Sequence, residues 1–437
     1  MVWLSFQSDS RASAEKAGRD RDPNAIARVL WTHAPMHRSP SPLARLAVEA
    51  VLATALACAG CGSNGASAAR GSGDAGPAST NDAASGDGGG DDDSSSSTPP
   101  PNTPLPDGGS STPTPPPTLN IDISQTSVSG MSSGGYMAVQ FGVAFSSIVK
   151  GIGVFAGGPF DCAQGSLTTA EGECSTGSTA IDVTPLVTAT NSLFSAGKID
   201  DPKNLATARI YIFGGADDEI VNPVVVDATE AYFVSFVPSA AIQYESRHAA
   251  TGHTTPTLTY GGSCDSSVSP WIGKCDYDGA GIALAQIYGT LTPASTTSTG
   301  TIATLAQSDF VANPSSHSLG DTAYVYIPAS CASGETCRVH VAFHGCEMNA
   351  DGSEGSAFYL HAGYNAWADT NHIVVLYPQT TTSTANPEAC WDWWGYDSAD
   401  YDTQSGTQMA MVRAMIGALA AGLDGGFADS GLADAGD

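Results

Sequence analysis

Positive charge is the scarcest commodity in this 437-residue chain: 16 Lys and Arg stand against 44 Asp and Glu, a formal net charge of −28. Half of the basic residues precede position 71, so the rest of the chain is more acidic still. A surface of that sign excludes nucleic acid and anionic membrane as partners of the larger C-terminal part, and favours solubility and a neutral or cationic ligand. Long apolar runs are missing too; none reaches the roughly 18 residues of a bilayer-spanning helix. Of the ten cysteines, those beyond Cys61 lack the C-x-x-C spacing of a zinc site. They fall in sequence-close pairs, Cys162/Cys174, Cys264/Cys275 and Cys331/Cys337, followed by Cys346 and Cys390. An even count at short spacing implies a disulfide framework and an oxidising compartment, with nearest-neighbour pairing as the expectation.

Composition divides the chain. Residues 62–118 are almost wholly Ser, Gly, Asp, Ala, Thr, Asn and Pro. They bury too little apolar surface to offset ordering entropy, so they read as a disordered linker. Residues 422–437 read as an acidic disordered tail. Between them, 119–421 carries the Trp, Tyr and Val of one globular domain of roughly 300 residues, ample for a large core. Residues 1–61 form an N-terminal extension. Within it, Met36-His37-Arg38 and the modestly apolar stretch 43–57, interrupted by Arg45 and Glu49, resemble a signal peptide. It ends in Leu56-Ala57-Cys58-Ala59-Gly60-Cys61, similar to a bacterial lipobox in which Cys58 or Cys61 is lipidated. Residues 1–35 are then a mis-assigned start or an unusual leader.

The chemistry concentrates at Gly130-Met131-Ser132-Ser133-Gly134, a G-x-S-x-G pentapeptide. Upstream, 120–128 alternates apolar and polar residues; downstream, 135–144 has apolar residues at helical spacing. A strand, a tight turn and a helix are the context of a nucleophile elbow, with Ser132 as nucleophile and helix N–H groups behind it for a developing oxyanion. A serine needs a base and an acid that orients the base. The buried-strand run 208–213 leads into a loop holding Asp217, Asp218 and Glu219, each a candidate acid. A second strand run, 241–245, leads to His253, with His248 as competitor. Serine, acid, histidine is the α/β-hydrolase order. A third run, 339–343, enters His344-Gly345-Cys346, the kind of loop that supplies the second oxyanion donor in that fold. Such a loop normally precedes the nucleophile. Its position here implies an α/β-hydrolase fold that is circularly permuted, which is tolerable because the termini of compact domains often lie close together.

These motifs, with Gly252-His253-Thr254, the segment 275–281, Cys390-Trp391-Asp392-Trp393-Trp394-Gly395-Tyr396, 361–365 and 375–379, resemble the extracellular poly(3-hydroxybutyrate) depolymerase family in its permuted branch. The resemblance covers roughly residues 119–418. It implies Ser132 as nucleophile, His253 as base and Asp218 as acid, since the family frame G-x-x-D-x-x-V fits Gly215, Asp218 and Val221. It implies the backbone N–H groups of Ser133 and Cys346 as oxyanion donors. It also implies a Cys346–Cys390 bridge tying the oxyanion loop to Trp391, Trp393 and Trp394, which serve as substrate-binding aromatics or as core. Secreted members commonly carry a C-terminal linker and polymer-binding domain. Here the linker is N-terminal, an arrangement that favours oligomers, amorphous polymer or another ester.

The expected function is a secreted or surface-anchored serine esterase acting on short-chain polyhydroxyalkanoate, monomeric and needing no metal or organic cofactor. Two alternatives stand beside it. One is a carbohydrate-side-chain esterase, of feruloyl or acetyl-xylan type, on the same fold. The other is a non-catalytic surface module.

Overall fold

A computed structural model describes residues 119–421. The expectations for the N-terminal extension with Cys58 and Cys61, the 62–118 linker and the 422–437 tail lie outside the described residues.

In chain order the strands are β1 (Thr126–Met131), β2 (Val149–Phe155), β3 (Arg209–Gly215), β4 (Ile242–His248), β5 (Thr255–Thr257), β6 (Gly262–Ser263), β7 (Ile272–Lys274), β8 (Thr301–Ala306), β9 (Thr322–Ile327), β10 (Arg338–Phe343) and β11 (Ile373–Tyr377). The α-helices are α1 (Ser133–Ala144), α2 (Leu167–Glu171), α3 (Thr184–Ser195), α4 (Pro223–Phe233), α5 (Gly279–Tyr288), α6 (Ala329–Ala332), α7 (Ala357–His361), α8 (Tyr364–Asn371) and α9 (Thr407–Ala421). An eight-stranded sheet runs in the order β4-β3-β2-β1-β10-β11-β9-β8, and β5-β7-β6 form a small second sheet. From β4 to β11 the large sheet is parallel; β9 runs antiparallel to both of its neighbours, β11 and β8. This is the α/β-hydrolase fold, circularly permuted. The chain enters at the central strand, builds one wing outward to β4, returns at the far edge with β8 and β9, crosses to β10 beside β1, and fills the gap last with β11.

Helices cover both faces of the sheet, so β3, β10 and β11 read as near-continuous apolar runs, whereas the central β1, Thr126-Ser127-Val128-Ser129-Gly130-Met131, is buried with small and polar residues. Val128 and Ile152 turn toward α1, while Ser129, Gly151 and Gly153 turn toward Ala283 and Ile287 of α5. Every residue of β1 and α1 is buried.

The first strand starts later than the alternation over 120–128 suggests. Asp122 accepts the Ser124 backbone N–H at 3.0 Å and caps a 3₁₀ turn over Ile123–Gln125, and only then does β1 begin. Local side-chain capping outcompetes the ladder there.

The permutation seam lies between β1 and β10, about two hundred residues apart in sequence, where Ser127 pairs with His340 and Gly130 with Phe343. His340, fully buried, binds it from within. Its Nδ1 lies 2.7 Å from Ser127 Oγ and its Nε2 2.7 Å from Ser129 Oγ. Burial pushes its pKa down to about 3, so the imidazole stays neutral, with one nitrogen donating and the other accepting. The hydroxyls of Tyr288 and Tyr364 extend the network at 2.6 and 2.7 Å.

Candidate active site

Ser132 sits in the turn between β1 and α1 with φ 56° and ψ −124°. A non-glycine residue in that region carries about 1–3 kcal/mol of strain, held only where the surroundings over-determine it. The surroundings do. The Ser132 N–H donates to Phe155 C=O at 2.9 Å, and its carbonyl accepts the Gly135 and Tyr136 N–H groups at 2.8 and 3.1 Å. The flanking glycines are needed for close approach. A Cβ at Gly130 would meet the Gly134 carbonyl oxygen at 2.1 Å, and one at Gly134 would meet the Phe343 and His344 carbonyl oxygens at 2.3 Å. Gly134 therefore lets α1 abut the end of β10, which brings the His344-Gly345-Cys346 loop against the serine.

The loops after β3 and β4 carry the candidate acid and base. Asp218, buried, holds His253 Nδ1 at 2.8 Å through Oδ2. Its Oδ1 accepts the N–H groups of Ile220 and Val221 at 2.9 and 2.8 Å. The His253 backbone N–H donates to Ser267 Oγ at 2.8 Å. With Nδ1 engaged, Nε2 is the nitrogen left to take a proton. The rivals sit elsewhere. Asp217 and Glu219 are exposed. His248 bonds Glu245 at 2.6 Å.

The oxyanion side is built differently. Ser133 opens α1, so its N–H is one of the orphan donors of a helix start. His344 governs the second candidate donor, the Cys346 N–H. The Thr380 N–H donates to its Nε2 at 3.2 Å, which puts the ring proton on Nδ1, 2.7 Å from the Gly345 carbonyl oxygen. Burial pushes its pKa down to about 4 and keeps the ring neutral. A trans peptide points C=O and N–H in opposite directions, so fixing the Gly345 carbonyl fixes the direction of the Cys346 N–H. The Trp391 indole N–H donates to the His344 carbonyl at 3.1 Å, and its backbone N–H to Ser133 Oγ at 3.3 Å. Cys346 is bridged to Cys390; Cys162–Cys174, Cys264–Cys275 and Cys331–Cys337 form as well.

A cleft of about 280 Å³ opens over this assembly, lined by Ser132, His253, Gly345 and Cys346 and by Met131, Ile220, Trp271, Met348, Glu347 and Glu388. The tryptophans singled out from the sequence, as substrate-binding aromatics or as core, are not among the side chains that line this cleft. Trp391 is fully buried beneath the oxyanion loop. Trp393 is buried and stacked on Tyr136 at 3.9 Å between ring centroids, and Trp394 packs its edge on Trp393. The tryptophan in the cleft is Trp271, edge-on to His253 with centroids 6.2 Å apart. Its signal was available in sequence: it lies inside the Cys264–Cys275 loop, soon after the base. The one group with metal-ligand spacing among the described residues, Cys346, Glu388 and Cys390, offers no thiolate, because its sulfurs are bonded to each other.

No family model matches the sequence. The chain is 44% identical over 314 residues to a poly(3-hydroxybutyrate) depolymerase of Delftia acidovorans, covering 71% of this chain and 62% of that protein. It therefore spans less than two thirds of that relative. It is 39% identical over 326 residues to a polyhydroxybutyrate depolymerase of Talaromyces funiculosus, covering 93% of it. The crystal structure of PHB depolymerase from Penicillium funiculosum superposes with a TM-score of 0.66 at 38% identity, covering 70% of this chain and 99% of that one. A serine-to-alanine variant of a PHB depolymerase, complexed with an R3HB trimer, matches equally well.

Proposed function

This chain belongs to the poly(3-hydroxybutyrate) depolymerase family, and from that premise we propose that it is a serine esterase cleaving poly(3-hydroxybutyrate) or its oligomers. The observation that carries the reading is the strained Ser132 sharing one cleft with a histidine already oriented by a buried aspartate. His253 Nε2 takes the Ser132 hydroxyl proton as Oγ attacks the ester carbonyl carbon. The Ser133 and Cys346 N–H groups hold the tetrahedral oxyanion. When it collapses, the alkoxide leaves with the proton from His253, and the acyl group stays on Oγ. Water then gives a proton to His253, attacks the acyl-enzyme, and releases the acid as Ser132 recovers its proton. A cleft of apolar side chains with a few polar groups suits an uncharged aliphatic polyester.

The proposal extends to place and state. Four disulfides favour an oxidising compartment, and the signal-like segment favours export, with Cys58 or Cys61 as a lipid anchor and the catalytic unit as a monomer. The test is hydrolysis by the purified protein: 3-hydroxybutyrate released from amorphous polymer and oligomers is expected. Release of ferulate or acetate from plant polysaccharide instead would assign the same triad to carbohydrate esters. Turnover of no ester would leave a surface module.

A further inference from the structure

Hydrolysis of a polyester turns a neutral bond into a carboxylate and an alcohol, so substrate and product differ most in charge. The cleft carries charge of one sign. Glu347 and Glu388 both line it, beside the Ser132–His253 centre. Two loops bring them together: the Glu347 backbone N–H donates to the Glu388 carbonyl at 2.7 Å, and a disulfide joins Cys346, adjacent to Glu347, to Cys390, two residues beyond Glu388. A Glu388 carboxylate oxygen lies within 4.8 Å of both bridge sulfurs. Glu347 keeps a backbone φ of 61°, where a glutamate is strained and a glycine would not be. Neither side chain has an ion-pair or hydrogen-bond partner among the described residues, and no Lys or Arg lines the cleft. Two carboxylates beside an oxyanion site oppose any anion drawn into it.

We propose that Glu347 and Glu388 make the cleft select by charge, admitting uncharged ester segments and rejecting carboxylate-bearing chain ends and the acid product. The proposal rests on the ester-hydrolase reading and deepens it. Its consequences are attack on bonds away from the carboxyl terminus and release of each acid without product inhibition.

The experiment compares kcat/KM on the methyl ester and on the free acid of a 3-hydroxybutyrate trimer, for the native protein and for Glu347→Gln/Glu388→Gln. The readout is the ratio of the two substrates, in which any common loss of activity cancels. The native ratio is expected to favour the methyl ester roughly three- to tenfold at low salt, as fits like charges interacting through partly aqueous surroundings. It should shrink toward unity in the double glutamine variant and, for the native protein, in high salt, where the Debye length falls to about 3 Å. A native ratio near one overturns the proposal. So does a ratio that neither salt nor the double substitution moves, since the preference would then come from shape. Failure to hydrolyse either trimer would defeat the ester-hydrolase reading first and this inference with it.

Discussion

The two sides of the cleft are held by different physics. On the nucleophile side the proposed chemistry falls to three side chains, and hydrogen bonds hold them: Ser132 by backbone bonds at the elbow, His253 by Asp218, Asp218 by two N–H groups. On the proposed oxyanion side the working group is a backbone N–H, which no side chain can replace. There the support is covalent and buried: the Cys346–Cys390 bridge, the neutral His344 holding the Gly345 carbonyl, and Trp391 filling the space beneath. Reactive side chains need orientation, whereas a reactive peptide needs its plane fixed. The first side should therefore fail by single substitutions, and the second by loosening.

The sharpest break on the nucleophile side is Ser132→Ala. Removing a triad nucleophile costs on the order of 10⁵–10⁶ in kcat. The thermal midpoint should stay close to native or rise slightly, because alanine keeps the elbow but loses no core contact. Measurable turnover within a hundredfold of native would remove the serine from its role. Next comes the choice of acid. Asp218→Asn should lower kcat by about 10⁴, since an amide no longer holds the required imidazole tautomer. Asp217→Asn should change it by less than about threefold, because Asp217 is exposed and contributes only its backbone N–H to the Thr251 carbonyl. Equal losses in the two variants would undo the assignment.

The sequence was legible where a local rule forces the chemistry. The strand–turn–helix context of Ser132 and the strand leading into His344-Gly345 each tie a residue type to a backbone conformation; the choice of Asp218 over Asp217 and Glu219 came from the family resemblance. The order in which they occur disclosed the permuted topology. Spatial neighbours were less legible. Trp391, Trp393 and Trp394 stand out in the sequence, yet what decides whether an indole meets substrate or core is which loop lies over it. That is a tertiary fact. Trp271, Glu347 and Glu388 belong to no motif and reach the cleft through the loops that the Cys264–Cys275 and Cys346–Cys390 bridges tie. The onset of β1 was missed for a local reason, the Asp122 cap. The two imidazoles His340 and His344 gave no sign of being neutral structural groups, since burial alone makes them so.

On the oxyanion side the expected loss is smaller and differently shaped. Cys346→Ser/Cys390→Ser, or mild reduction of the native protein, should lower kcat by about 10²–10³, the usual cost of one oxyanion donor. KM should move less than kcat. Circular dichroism should show a folded chain, because the other three bridges and the buried sheet remain. Full activity in the double variant would mean that His344 and Trp391 suffice to hold the Cys346 peptide. The asymmetry between the two sides would then vanish.

The smallest expected effect lies away from both sides and concerns stability. Burial, and the nearby carboxylates of Asp161, Asp400 and Asp392, push the Asp402 carboxyl up to about 7. In the unfolded chain an aspartate titrates near 4. Between those values the folded state holds a proton that the unfolded state has released. The stabilising contribution is complete below about pH 4 and disappears as pH rises through about 7. Asp392, pushed by burial up to about 6 against the four backbone N–H groups it accepts, acts in the same direction. The protein should therefore melt a few degrees higher near pH 5 than near pH 8. Asp402→Asn mimics the protonated carboxyl, so it should raise the melting temperature at pH 8 and leave it nearly unchanged near pH 4, with the triad's kinetics unaffected. A variant that loses stability equally at both pH values would show that Asp402 contributes through a bond its charge is needed for. The pH dependence would then have to come from Asp392 or from groups elsewhere in this acidic chain.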